Sequence, residues 1–152
     1  MELLKMLNHK DQKSVLLISP PKSFEETSHQ LQDILNVQEN LDGETPVQFV
    51  IAFFREKNEI KRILEKLMPR ITKDTLLWLC YPKKSSKAYK SDITRDSGWE
   101  AMGDYSYEPV RQISIDEDWS ALRFRPIKDI LKFNRSQNMA LSQEGKKKAQ
   151  KK

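Results

Sequence analysis

Three apolar runs, each closed by a proline, an arginine or a polar turn, constrain this chain more than any other feature. They are "VLLIS" from Val15 to Ser19, "VQFVIAFF" from Val47 to Phe54, and "TLLWLCY" from Thr75 to Tyr81. All three are rich in β-branched and aromatic residues and apolar at consecutive positions, so each reads as a strand buried on both sides. Helix-period segments separate them. Ser23 with Glu26 forms an S-x-x-E capping box ahead of Phe24, Leu31, Ile34 and Leu35, which share one helical face. Ile60, Ile63, Leu64 and Leu67 form a second stripe within 56–71, ended by Pro69.

The polar stretch "NVQENLDGET" reads as a loop. A third helix is expected near Thr94 to Met102, made weak by Gly98 and Gly103. Val110 to Ile115 and Trp119 to Arg125 then read as strands joined by Asp116-Glu117-Asp118, a β-hairpin. Strand and helix alternation of this kind specifies an α/β domain with a parallel sheet, since parallel neighbours need a crossover connection. With the first three strands side by side, right-handed crossovers put the connecting helices on one face. The other face is left for 1–8 and 127–134, which supply Leu3, Leu4, Met6, Leu7, Ile127, Ile130, Leu131 and Phe133, or for a second copy of the chain. A monomer or a homodimer is thus expected.

Charge separates a body from a tail. The net charge is +5, and residues 135–152 hold six basic residues and one acid, so residues 1–134 are neutral overall. The expectation is one domain over 1–134 and a polar, disordered basic tail over 135–152. A neutral body weakens a nucleic-acid reading, which needs a continuous basic surface. No apolar run approaches the roughly 20 residues of a membrane span, and the start of the chain does not follow the pattern of a signal peptide. With Cys80 as the single cysteine, inside an apolar run, a cytoplasmic location is expected.

The runs "VLLISPP", "LLWLCYPKKSSK" followed by "DIT", and "DEDWSALRF" resemble the bacterial family called domain of unknown function 3052. The resemblance extends over roughly residues 10–126 and is carried by those motifs. It implies an α/β fold similar to the C-terminal half of class I methyltransferases, that is, a Rossmann-like three-layer domain ending in a β-hairpin. It implies no activity.

A dinucleotide or S-adenosylmethionine site after the first strand requires glycines, so that the backbone turns tightly and approaches the ligand. Here the strand runs into "SPPKSF", without a glycine, and no cofactor is expected. The candidate site is the loop after the third strand. Lys83, Lys84, Ser85, Ser86, Lys87 and Lys90 lie just past a strand's carboxyl end, where open parallel sheets collect ligands. Lysine and serine donors there suit a phosphate-containing ligand, and a helix starting near Thr94 would add its amides. The same residues also read as a solvated, solubilising loop.

Three functions are open to such a site: a non-catalytic binding module, an enzyme acting on a nucleotide or phosphorylated metabolite with Asp92 or Asp96 as base, and a nucleic-acid binder using loop and tail together. Tyr89, between Lys87 and Lys90, is a candidate stacking platform. Asp116, Glu117 and Asp118 read as a solvated hairpin tip and not as a cation site. His9 and His29 lack the spacing of metal ligands, and Cys80 lies mid-strand, where a thiolate is disfavoured.

Overall fold

The computed structural model describes residues 1–130. Six strands form one sheet in the order β2-β1-β3-β4-β6-β5. These are β1 (Ser14–Ile18), β2 (Asn36–Gln38), β3 (Val47–Phe53), β4 (Ile71–Pro82), β5 (Tyr107–Ser114) and β6 (Trp119–Pro126). The helices are α1 (Glu2–Met6), α2 (Glu25–Gln32), α3 (Lys57–Leu67) and α4 (Glu100–Gly103). β1, β2, β3 and β4 pair in parallel, whereas β6 runs antiparallel to both β4 and β5. The expected parallel sheet with a closing hairpin is therefore present. Among the described residues no helix is long and apolar enough to cross a membrane.

Both faces of the sheet are covered, but not in the expected way. One core gathers Ile60, Leu64 and Leu67 of α3 with Val50, Leu79, Trp99 and Phe124. The other gathers Leu4 and Leu7 with Phe24, Leu31 and Leu35 around Phe49, Ile51 and Trp78. So α2 and α3 lie on opposite faces, not one. The cause is β2, which the polar composition of "NVQENLDGET" conceals: its three residues are exposed, half-buried and exposed. Through α2 the chain moves outward from β1 to β2, then returns past β1 to β3. The α2 crossover, from β1 to β2, and the α3 crossover, from β3 to β4, thus run in opposite lateral directions, and being right-handed they place their helices on opposite faces.

The cover supplied by 1–8 is as expected. Leu7 is fully buried, and its carbonyl accepts a hydrogen bond from the Trp78 indole Nε1 at 2.9 Å, which pins α1 to the sheet. Ile127 is buried and Ile130 half-buried, while Leu131, Phe133 and the 135–152 tail lie outside the described residues.

Local rules explain the remaining departures. Ser23 falls inside a 3-10 turn, Lys22–Phe24, so α2 begins without a side-chain cap. The helix ends at Gln32, which leaves Ile34 beyond the stripe and 50% exposed. α3 instead carries a capping box made by Glu56 and Glu59. After it, Met68–Arg70 forms a 3-10 turn, and β4 begins at Ile71, four residues earlier than its apolar run. Arg70 is buried there, donating to the carbonyls of Thr45, Asn40 and Leu41 at 2.9, 2.7 and 3.2 Å. It clamps the β2–β3 connection from within.

Candidate functional site

β4 leaves the sheet at Pro82, opposite Trp119 of β6. The next amide, of Lys83, still donates to the Asp118 carbonyl at 2.7 Å, and the chain then turns, with the Ser86 amide donating to the Lys83 carbonyl at 3.0 Å. Ser86 organises the middle of the loop. Its hydroxyl donates to Asp118 Oδ1 at 2.8 Å and accepts from the Tyr89 amide at 3.1 Å. The Tyr89 ring packs on Trp119, with centroids 5.1 Å apart, and the Arg55 guanidinium lies 4.8 Å above it. Farther on, the Ser91 hydroxyl donates to the Arg55 carbonyl at 2.6 Å and accepts from the Ile93 amide at 3.0 Å. Asp92 accepts from the Lys57 amide in the first turn of α3 at 2.8 Å. A loop that is polar throughout in sequence is thus tied to β3, α3 and the hairpin.

These ties sort the six candidate residues. Lys83 spends its ammonium on the Ser114 hydroxyl, at 2.6 Å, and Ser86 is a tether. Lys84, Ser85, Lys87 and Lys90 are exposed. A cavity of about 300 Å³ opens against the loop, lined among others by Lys83, Lys84, Ser86, Tyr89, Lys90 and Thr94, and its charged lining residues are all lysines. Ser85 and Lys87 are outside that lining.

Two expectations about the surroundings fail. No helix starts near Thr94: the chain makes a turn there, the Thr94 amide donating to the Ser97 carbonyl at 2.9 Å, and α4 spans only Glu100–Gly103. Gly98, at φ +108, adopts a conformation that ends any helix register. What the segment delivers instead is Trp99, fully buried against Phe54, Tyr81 and Phe124. No helix start near Thr94 therefore offers amides to a ligand at the loop. Nor is the hairpin tip simply solvated. Asp116 accepts from the amides of Asp118 and Trp119 at 2.8 and 2.9 Å, and Asp118 holds Ser86, so only Glu117 is exposed. Tyr89 is half-buried between Trp119 and Arg55 and offers no open stacking face.

Among the described residues the catalytic candidates are not brought together. Asp92 caps α3, and Asp96 pairs with Arg95 at 3.2 Å. Cys80 is fully buried, and that burial, with Asp116 nearby, pushes its thiol far above the ordinary range, which keeps it protonated and inert. His9 bonds the Gln12 carbonyl at 2.8 Å and stacks near Phe49, while His29 is exposed. Among the described residues no three His, Cys, Asp or Glu side chains gather as metal ligands.

No family model matches the chain, and no curated protein does. Solved structures do share its fold. A SAM dependent methyltransferase from Aquifex aeolicus superposes with a TM-score of 0.52 at 13% identity, over 81% of this chain and 87% of that one. A ribosomal protein L11 methylase from Lactobacillus delbrueckii subsp. bulgaricus gives 0.49 at 11% identity, over 82% and 76%. A protein of the NADB-Rossmann superfamily from Streptococcus agalactiae gives 0.47 at 11%, over 82% and 67%. The Aquifex likeness is one of fold, and it defines this chain as a single α/β domain of methyltransferase-like architecture.

That fold invites a test for S-adenosylmethionine at the carboxyl ends of β1 and β3. After β1, Ser19 is left-handed at φ 52 without being a glycine. Pro20 and Pro21 follow, two residues without backbone N–H donors, and Pro21 is buried. Two prolines where glycines would turn the chain leave no backbone N–H to meet the ligand, so these residues do not fit the cofactor.

Proposed function

We propose that the chain is a binding module without catalytic function, and that it receives a phosphate-containing anion at the loop after β4. One observation carries the reading: the cavity beside that loop has lysines as its only charged lining residues, with Lys84 and Lys90 exposed at its edge. Hydroxyls of Ser86 and Thr94 add polar atoms to the same lining. The rigid ties of Ser86, Ser91 and Asp92 support it further, because a held loop loses less conformational freedom when a ligand binds. An enzyme at the same strand ends finds less support, since Asp92 and Asp96 are both engaged in structural contacts. The resemblance to domain of unknown function 3052 is compatible with this reading, and it brings no activity with it.

The test is a pyrophosphate titration followed by backbone amide NMR at constant ionic strength. Saturable shifts are expected at Ser85 to Lys90, and they should weaken about tenfold or more in a Lys84→Ala/Lys90→Ala variant. The melting temperature of that variant should stay within about 1 °C of the parent, because exposed lysines contribute little to stability. In parallel, S-adenosylmethionine should leave the Ser19 and Lys22 amides unmoved. Undiminished binding by the double variant would overturn the assignment.

A further inference from the structure

β5 and β6 place three arginines together on the face of the sheet that carries α1. Arg111 stands directly opposite Arg123 in the antiparallel ladder, and Arg125 lies two residues farther along on the same side of β6. Opposed residues in such a ladder have Cα atoms about 4.5–5.5 Å apart, and positions two apart along a strand about 7 Å. Like charges at those distances repel and weaken the pairing.

The surroundings relieve the repulsion little. Arg123 is half-buried, and its burial together with Arg125 and Arg111 pushes its guanidinium below the ordinary value. Its Nη1 donates to Asn8 Oδ1 at 3.2 Å, while its Nε is buried with no hydrogen-bond partner among the described residues. Glu108 stands opposite Arg125 in the ladder and brings a carboxylate to that end of the cluster, whereas Arg123 is perturbed by burial and its two arginine neighbours. Arg111 is exposed, which leaves the cluster open to solvent on one side. A buried donor without a partner costs free energy, and three clustered cations cost more. A bound oxyanion removes both costs.

We infer that Arg111, Arg123 and Arg125 form a second anion site, built for the phosphate group of a small ligand. Planar guanidinium forks donate in pairs to phosphate oxygens, and three neighbouring arginines carry more donors than the two oxygens of a carboxylate accept well. The site is independent of the lysine loop. Arg123 lies four residues along β6 from Trp119, where the loop leaves, or about 13 Å at the strand rise.

The experiment is a titration of the full chain with inorganic phosphate at constant ionic strength, read at the side-chain Nε–H resonance of Arg123. A saturable shift is expected, weakened about tenfold in Arg111→Gln and again in Arg125→Gln, and unaffected by Lys84→Ala/Lys90→Ala. Arg111 is exposed, so its variant should fold as the parent does. A second titration, with glycerol phosphate, identifies the source: tighter binding than inorganic phosphate assigns the site to a phosphorylated metabolite, and equal binding to free phosphate. A shift that fails to saturate, or one that Arg111→Gln leaves unchanged, would overturn the inference.

Discussion

Replacing Ser86 by Ala separates two roles that the sequence alone leaves merged, ligand donor and loop tether. The change removes a hydrogen bond to the Asp118 carboxylate, at 2.8 Å, and one accepted from the Tyr89 amide, at 3.1 Å. A hydrogen bond to a charged group is worth about 1.5–3 kcal/mol and a neutral one about 0.5–1.5. Ser86 is half-buried, so water recovers part of both. A loss of about 1–2 kcal/mol is therefore expected, read as a lower urea midpoint at unchanged slope. Asp118→Ala completes a double-mutant cycle, for which the coupling should be about 1 kcal/mol. Faster hydrogen exchange at the Tyr89 amide should accompany the single change, since that donor loses its acceptor. If stability and Tyr89 protection are unchanged and the coupling is under about 0.3 kcal/mol, the tether does not exist and the hairpin does not hold the loop.

Arg70→Met keeps much of the side-chain volume and leaves the carbonyls of Thr45, Asn40 and Leu41 without their donor, which should cost about 3 kcal/mol in urea unfolding; a change under about 1 kcal/mol would show that the clamp is not structural. Alkaline stability provides a check on burial. The Cys80 thiol holds its proton far above its ordinary value of 9.0 in the folded chain, so stability should be full below that pH and fall above it by about 1.4 kcal/mol per pH unit. Tyr81 and Tyr107, both raised by burial, add to the fall above their ordinary value of 10.0. Cys80→Ala should flatten the slope between pH 9 and 10, and an equal slope in both proteins would refute the assignment.

The buried strands were legible because burial on two faces demands apolar residues at every position, a demand no loop imitates. Short elements stabilised from elsewhere were not. β2 has one half-buried residue and owes its existence to pairing with β1, and α1 is held by the leucines at positions 4 and 7 and by the Trp78 indole, seventy-one residues away in sequence. Missing β2 was enough to put α2 on the wrong face. The place of the lysine loop after a strand end was legible, and the division of labour among its residues was not. Lys83 and Ser86 look like their neighbours in sequence, but the hairpin supplies Ser114 and Asp118 as partners for them. The arginine cluster shows the reverse. Arg123 and Arg125 alternate with Leu122 and Phe124 as a strand dictates, yet only the register brings Arg111 opposite.

Topology accounts for part of the lysine loop and leaves the rest to function. Because β6 lies between β4 and β5, the chain leaving β4 must travel past a neighbouring strand before it enters β5, which runs parallel to β4. Such a crossover needs a dozen residues or more and something apolar to close the face beneath it. Trp99 and Met102 provide the closure, so the length of the connection and its buried end are set by the sheet order. The exposed beginning has no such cause. From Lys83 to Ser91 it contains four lysines and no acid, although solubility is served equally by mixed charges and like charges repel one another. At the crevice between β1 and β3, where an open sheet of this order binds its ligand, Pro20 and Pro21 stand instead of glycines and bring no backbone N–H. Single-sign charge at the neighbouring strand end suits the ligand proposed above, which would bind through its own negative charge and need no glycine loop to approach.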